Sequence, residues 1–267
     1  MERTFGFITS AGVLEDQMEY ALKYKFNHIE IDLTNKDSGL ETFDRKRVNG
    51  LKRLLFDNGI SLSLHLPYTL NLIKKGIFSK KKMLDYIKHS FDLATDLSAT
   101  HITAHIGSFS KHIIWSNPRE EYLKKAIDNI KIIEDMGEES QISFAFENLI
   151  PLSLNSAYHF IGDNINDFSA IFNSVKSEFI GLCLDLGHAN LNEGGIAYID
   201  NFKEKILCVH YHDNLGNKDD HMEIGEGNIN WRKTIGSLEK TGFIGPFISE
   251  CFSSKPHISR DKLLKLI

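Results

Sequence analysis

The chain has 267 residues, 42% hydrophobic and 25% charged, enough for one large core. Its 31 Lys and Arg against 36 Asp and Glu give a formal charge of -5, which lacks the basic footprint of a dedicated nucleic-acid binder. No run approaches the ~18 apolar residues of a membrane span, and Met1-Glu2-Arg3-Thr4 leads into a strand-like run and not into a secretory signal. Five prolines and no Pro/Gly/Ser-rich stretch leave no linker, so one domain over 1–267 is expected. The basic strip of Lys74, Lys75, Lys80, Lys81 and Lys82 reads as a solvated helix face. Cys183, Cys208 and Cys251 have no metal spacing, and their odd number argues against a disulfide framework and for a reducing cytoplasm.

Along the chain, short apolar runs at 5–8, 28–33, 60–65, 100–106, 142–147, 180–185, 206–210 and 246–250 alternate with helical patterns. Val48, Leu51 and Leu55 mark one helix; Leu84, Ile87, Phe91 and Ala94 mark another; Leu123, Ile127 and Ile130 a third. Gly59, Gly137 and Gly242 are expected at helix C-termini, where a positive φ carries no Cβ penalty. Asn117-Pro118-Arg119-Glu120 reads as a helix start with Asn117 as N-cap and Pro118 at N1. Eight strand–helix units in this length predict a single (β/α)8 TIM barrel. The rival, a doubly wound open sheet, lacks a Gly-rich fingerprint after its first strand.

The strand ends carry unusual residues. The third run ends in His65, the fourth holds His105, the fifth ends in Glu147, the sixth in Asp185 with His188 just beyond, the seventh in His210 with His212 beyond, and the eighth in Glu250. All C-terminal strand ends of a barrel face one rim, so these residues are expected to converge. Three carboxylates and several imidazoles in one mouth repel and desolvate one another unless a cation compensates. Mixed Asp/Glu/His ligation suits Mn, Zn, Fe or Co better than Ca or Mg. In the long connection at 213–231, Asp219 and His221 are candidates for a second cation or a substrate hydroxyl, and Gly225 and Gly227 for close backbone approach to a ligand. Cys183 and Cys208 stand two residues before Asp185 and His210, so they are expected to face the lumen one layer below; Cys251 is expected to point the other way.

His65-Leu66-Pro67-Tyr68, His105-Ile106-Gly107, Glu147-Asn148, Asp185-Leu186-Gly187-His188 and the tail from Gly225-Glu226-Gly227 to Trp231, in that order, resemble the xylose isomerase-like TIM-barrel superfamily over residues 28–252. That group contains sugar and sugar-phosphate isomerases and epimerases as well as the endonuclease IV enzymes of DNA repair. The epimerase branch implies one divalent metal, Mn or Zn, on Glu147, Asp185, His210 and Glu250, with His212 competing for the histidine place. Glu147 and Glu250 would then remove and return a proton through an enediolate. The endonuclease IV branch implies up to three Zn on His65, His105, Glu147, Asp185, His188, His210, Asp219, His221 and Glu250. The second strand, His28-Ile29-Glu30-Ile31-Asp32-Leu33, resembles the isomerase side, and the segment Leu149-Ile150-Pro151-Leu152 is not the Thr-Ala-Gly run of the repair enzymes.

The expected function is therefore a metal-dependent isomerase or epimerase of a sugar, sugar phosphate or related ketone. The alternatives are a zinc-dependent AP endonuclease and a non-catalytic sugar-binding barrel. Tyr68, Phe109, Trp115 and Trp231 are candidate pocket walls. The expected partner is a small-molecule sugar or sugar phosphate, with nucleic acid disfavoured and a homo-oligomer left open.

Overall fold

The computed structural model describes residues 3–9, 12–74, 76–110, 118–153 and 156–267. In chain order these form β1 (Phe5–Phe7), α1 (Leu14–Lys23), β2 (His28–Asp32), α2 (Arg45–Asn58), β3 (Ser61–His65), α3 (Ile77–Leu97), β4 (His101–Ala104) and β5 (Gly107–Ser110). They continue with α4 (Arg119–Ser140), β6 (Ser143–Glu147), β7 (Tyr158–Ile161), α5 (Ile165–Ser174), β8 (Ile180–Asp185), α6 (Leu186–Asn190) and α7 (Gly195–Phe202). The last elements are β9 (Ile206–Tyr211), α8 (Trp231–Glu239), β10 (Phe247–Ser249) and α9 (Pro256–Leu266).

Eight strands pair in parallel in the order β1-β10-β9-β8-β6-β4-β3-β2. The two ends of this sheet meet through a parallel bridge between Ile8 and Glu30 and a 2.9 Å bond from Thr9 N to Glu30 O. The result is a nearly closed (β/α)8 barrel. Residues two apart in a strand share a face. The outward set is apolar: Ile29, Ile31, Leu62, Leu64, Ile102, Phe144, Phe146, Leu182, Leu184 and Val209 are buried in one core with Leu51, Leu55, Ile87, Phe91, Ile130 and Ile133 of the surrounding helices. Phe144, packed between the tilted rings of Phe91 and Phe146 at 5.7 and 5.0 Å, illustrates the scale. Truncating such a buried ring to alanine costs about 3–5 kcal/mol.

The inward set is different. Ala145, Cys183, Cys208 and Ile248 form a small separate cluster in the lumen, so Cys183 and Cys208 lie one layer below Asp185 and His210 as expected. Cys251 packs instead into the outer core. Opposite the lumen cluster, the alternating residues of β2, β3 and β4 are polar: His28 and Glu30, Ser61 and Ser63, His101 and Thr103.

Several local expectations need correction. The strand expected over 100–106 stops at Ala104, and after a break that holds His105 the chain turns outward into β5, which pairs antiparallel with β7 outside the barrel. Gly107, at φ 136°, makes that turn. Gly137 does not end a helix: it is buried inside α4, where a Cβ would press on Phe179 and on the carbonyl of Ile142. The helix stops at Gln141 instead, at φ 58°. Pro118 occupies the cap position and not N1, while Asn117 lies outside the described residues. Gly59 and Gly242 do follow helices at positive φ. No helix among the described residues is long and apolar enough to cross a membrane.

Candidate metal centre

The same alternation that sends Ile and Leu outward places the rim residues in one ring. His65 follows Ser63 inward on β3, Glu147 follows Ala145 on β6, Asp185 follows Cys183 on β8, and His210 follows Cys208 on β9, with Glu250 just past β10. Ligand atoms of Glu147, Asp185, His210 and Glu250 all lie within 4.8 Å of one another. Two further groups flank this one: His65 and His105 with Glu147, and His188, His212, Asp219 and His221. Glu147 belongs to both the central group and the first flank. His65 Nε2 and His105 Nε2 lie 3.1 and 3.2 Å from Glu147 Oε2, and His188 Nδ1 lies 3.2 Å from Oε1. His210 Nδ1 is 3.0 Å from Glu250 Oε1. On the far side, His188 Nε2 and His221 Nε2 approach Asp219 Oδ2 at 3.4 and 3.2 Å, and His212 Nε2 approaches Asp185 Oδ1 at 3.2 Å.

The ring orientations are set by the backbone. His65 Nδ1 is 2.9 Å from the Leu66 carbonyl, His188 Nδ1 2.9 Å from that of Asn148, and His221 Nδ1 2.8 Å from that of Glu250. A carbonyl only accepts, so each Nδ1 carries the proton and the lone pair of Nε2 is turned into the cluster. Two of these chain positions depend on particular residues. Asp185 caps α6 by accepting from His188 N at 2.7 Å, and Gly187 leaves room for His212, whose ring a Cβ there would strike. His221 sits at φ 45°, a strained position for a non-glycine residue, held by the bond to the Glu250 carbonyl.

The donor set fits a divalent transition metal. Asp185 Oδ2, Asp219 Oδ1, both nitrogens of His212 and Nδ1 of His210 are buried, with no well-formed hydrogen bond among the described residues. Leaving one such atom unsatisfied costs about 1–3 kcal/mol, more if charged, so five in one ring call for a cation. Without an ion, protons carry the compensating charge. Burial opposes ionisation of Glu147, but His105, His188 and His65 outweigh it and hold the carboxyl well below the usual range. Burial likewise lowers His65 and His221, yet Glu147 and Glu30 raise the first, and Asp219 and Glu250 the second, each to about 9. His188 and His210 are pushed well up against their burial, by Asp185 and Asp219 in one case and Glu250 and Glu30 in the other.

All ten charged or imidazole residues singled out in the sequence therefore meet at one rim. The aromatic candidates fare differently. Tyr68 is exposed just beyond β3. Trp231 is buried and its indole N–H donates to Asp213 Oδ2 at 3.0 Å, while Phe109 stacks on Tyr122 at 4.8 Å, which accounts for their burial without a ligand. Trp115 lies outside the described residues. Three supporting residues escaped the sequence reading. Asp213 accepts from Gly225 N and Trp231 Nε1 and so folds the long loop that delivers Asp219 and His221. Asn148 holds Asp185, and Glu30 stands under His210. The available signal for Glu30 was the alternation of His28, Glu30 and Asp32 with Ile29 and Ile31, which sets polar residues on the inward face of β2.

The fold and site together define an eight-stranded parallel barrel with a ring of Glu, Asp and His, a candidate metal centre, at its C-terminal rim. Residues 18–266 match the family model described as xylose isomerase-like TIM barrel, and the chain belongs to that family. Among relatives, an uncharacterised protein of Methanocaldococcus jannaschii is 24% identical over 256 residues, 94% of this chain and 84% of that protein. A probable endonuclease 4 of Carboxydothermus hydrogenoformans is 24% identical over 280 residues, 97% of this chain and 94% of that protein. Among solved structures, a D-tagatose 3-epimerase-like protein superposes with a TM-score of 0.85 at 24% identity, covering 98% of this chain and 96% of that one. The IOLI protein, solved with a zinc atom, superposes at 0.78 with 17% identity, covering 98% and 95%. These structural likenesses are likenesses of fold.

Proposed function

We propose that the protein is a metal-dependent isomerase or epimerase that moves a proton on a sugar, sugar phosphate or related ketone. The observation that carries this reading is the pair Glu147 and Glu250, brought from β6 and the end of β10 to within 4.8 Å around His210 and Asp185. A divalent ion on these four residues, zinc or manganese by its donors, would stabilise the negative charge of an enediolate. The two carboxylates approach from different strands, so one removes the proton beside the carbonyl and the other returns it. Asp185 and His210 hold the centre, and His188 orients a substrate oxygen. The fold likeness to a D-tagatose 3-epimerase-like protein and to a zinc-containing barrel supports this reading.

A second reading, metal-dependent phosphodiester hydrolysis, is favoured by one specific observation: the ten residues of the central and flanking groups include, with His212 left over, all nine that the three-zinc reading requires, and a probable endonuclease 4 is among the relatives. One experiment separates them. Ketoses and ketose phosphates are incubated with the metal-loaded protein in deuterated water, beside an abasic DNA duplex. The isomerase exchanges deuterium at the carbon next to the carbonyl and leaves the duplex intact. Nicking without exchange into any sugar assigns the second reading instead.

A further inference from the structure

Among the rim imidazoles, His210 is held in a different way. His65, His188 and His221 each present Nδ1 to a neutral backbone carbonyl. His210 turns Nδ1 toward Glu250 and buries Nε2 beneath the ring, 2.8 Å from Glu30 Oε2. Both side chains are fully buried. The ring N–H lies off the line of a well-formed hydrogen bond, but neither Nε2 nor Oε2 has any other hydrogen-bond partner among the described residues, so each can be satisfied only by the other. Glu30 is itself fixed from below: its Oε1 accepts from Ser63 Oγ and Thr103 Oγ1, both at 2.9 Å, and Ser63 Oγ is 3.0 Å from His28 Nε2. An acidic residue in the lumen, with Oε1 tied by two hydroxyls and 3.8 Å from His101 Nε2 and with Oε2 set against His210, is not needed to fill space, since Ala145 and Cys183 fill corresponding places on β6 and β8.

We infer that Glu30 is a positioning residue for the metal centre, a buried carboxylate that keeps the proton of His210 on Nε2 and the lone pair of Nδ1 turned to the ion. This rests on the reading of His210 as a ligand. A carboxylate behind a ligating imidazole fixes its tautomer and strengthens its donation, and removing such a partner weakens metal affinity by about 10–100-fold. Ser63 and Thr103 hold Glu30 in register, which explains why β3 and β4 carry hydroxyls at lumen positions.

The test uses the full chain and zinc alone, in competition with a fluorescent chelator, with ¹⁵N spectra of the histidines recorded on the zinc-loaded protein. Glu30→Gln keeps size and an acceptor for the two hydroxyls but sets an amide against His210 Nε2. The tightest zinc affinity is expected to fall about 10–100-fold with the number of bound ions unchanged, and the His210 resonances are expected to leave the Nε2–H tautomer. Unchanged affinity and tautomer overturn the inference, and so does loss of a whole equivalent of zinc, which would make Glu30 a ligand. If Glu30→Gln does not fold, Ser63→Ala with Thr103→Val loosens the carboxylate without removing it; a several-fold loss of affinity then supports the inference and wild-type affinity refutes it. Absence of zinc binding by the unaltered protein refutes instead the assignment of the metal centre.

Discussion

Asn148 grips Asp185 by both backbone groups: its Oδ1 accepts from Asp185 N at 2.8 Å and its Nδ2 donates to Asp185 O at 3.0 Å. The pair joins the ends of β6 and β8, and the Asn148 carbonyl meets His188 Nδ1 as well. One fully buried amide thus sets a rim carboxylate and an imidazole together. Asn148→Asp keeps the shape, loses the donor and adds a charge beside Asp185. Leaving that carbonyl unsatisfied is expected to cost about 1–3 kcal/mol. Chemical denaturation and zinc titration check this together, and an unchanged unfolding midpoint with full zinc affinity would rule the clamp out.

Glu147→Gln and Glu250→Gln preserve volume while removing a negative charge and a proton acceptor. Each is expected to lower proton exchange into substrate by at least about 100-fold, the usual contribution of a positioned acid or base. Glu147→Gln is the more disruptive for the site, because three imidazoles, His65, His105 and His188, approach Glu147 within 3.2 Å, whereas His210 lies 3.0 Å and His221 4.0 Å from Glu250. Exchange rates and near-UV circular dichroism are measured on the same samples; a folded variant retaining wild-type exchange would remove that residue from the reaction.

Asp219→Ala combined with His221→Ala empties the flank built on the long loop, leaving the central four residues untouched. With one metal at the centre, zinc content measured by elemental analysis stays near one equivalent and the Michaelis constant for the substrate rises. A fall from about three equivalents, accompanied by loss of phosphodiester cleavage, would reverse the choice between the two functions.

The metal-free protein should be most stable near pH 6.5. Burial, aided by His101, pushes His28 down to about 3, so its neutral ring between Ser61 and Ser63 is favoured in the folded state. The unfolded chain takes up this proton as pH falls below about 6.5, and stability drops toward acid. His65 and His221, raised to about 9, have the opposite sign: their contribution is complete below about 6.5 and is lost as pH climbs through 9. His28→Gln removes a titrating group and should flatten the acid limb between pH 6.5 and 4.5 by an amount on the order of 2–3 kcal/mol. Thermal melts across that range decide it, with an undiminished acid limb counting against the buried neutral ring.

How much of the site was legible follows from periodicity. His65, Glu147, Asp185, His210 and Glu250 stand out in sequence because each closes an apolar run, and a barrel sends every such end to one rim. His105 was legible as a residue but not as a break, because Gly107 turns the chain into a strand whose partner, β7, lies far along the chain, with Gly107 opposite Ile161. Gly137 misled for a related reason, since a buried glycine chosen for contact with Phe179 looks in sequence like a helix stop.

The sequence by itself determined the alternation of strand and helix, and with it the barrel and the identity of the residues at its mouth, because period and punctuation are local properties of the chain. Only the tertiary structure decided which ring nitrogen faces the centre, that Glu147 is shared between two ligand groups, and that Glu30 stands beneath His210. Those facts depend on distances between strands far apart in sequence, on the small lumen residues Ala145, Cys183 and Cys208 that leave room for polar partners, and on backbone carbonyls that no residue letter reports.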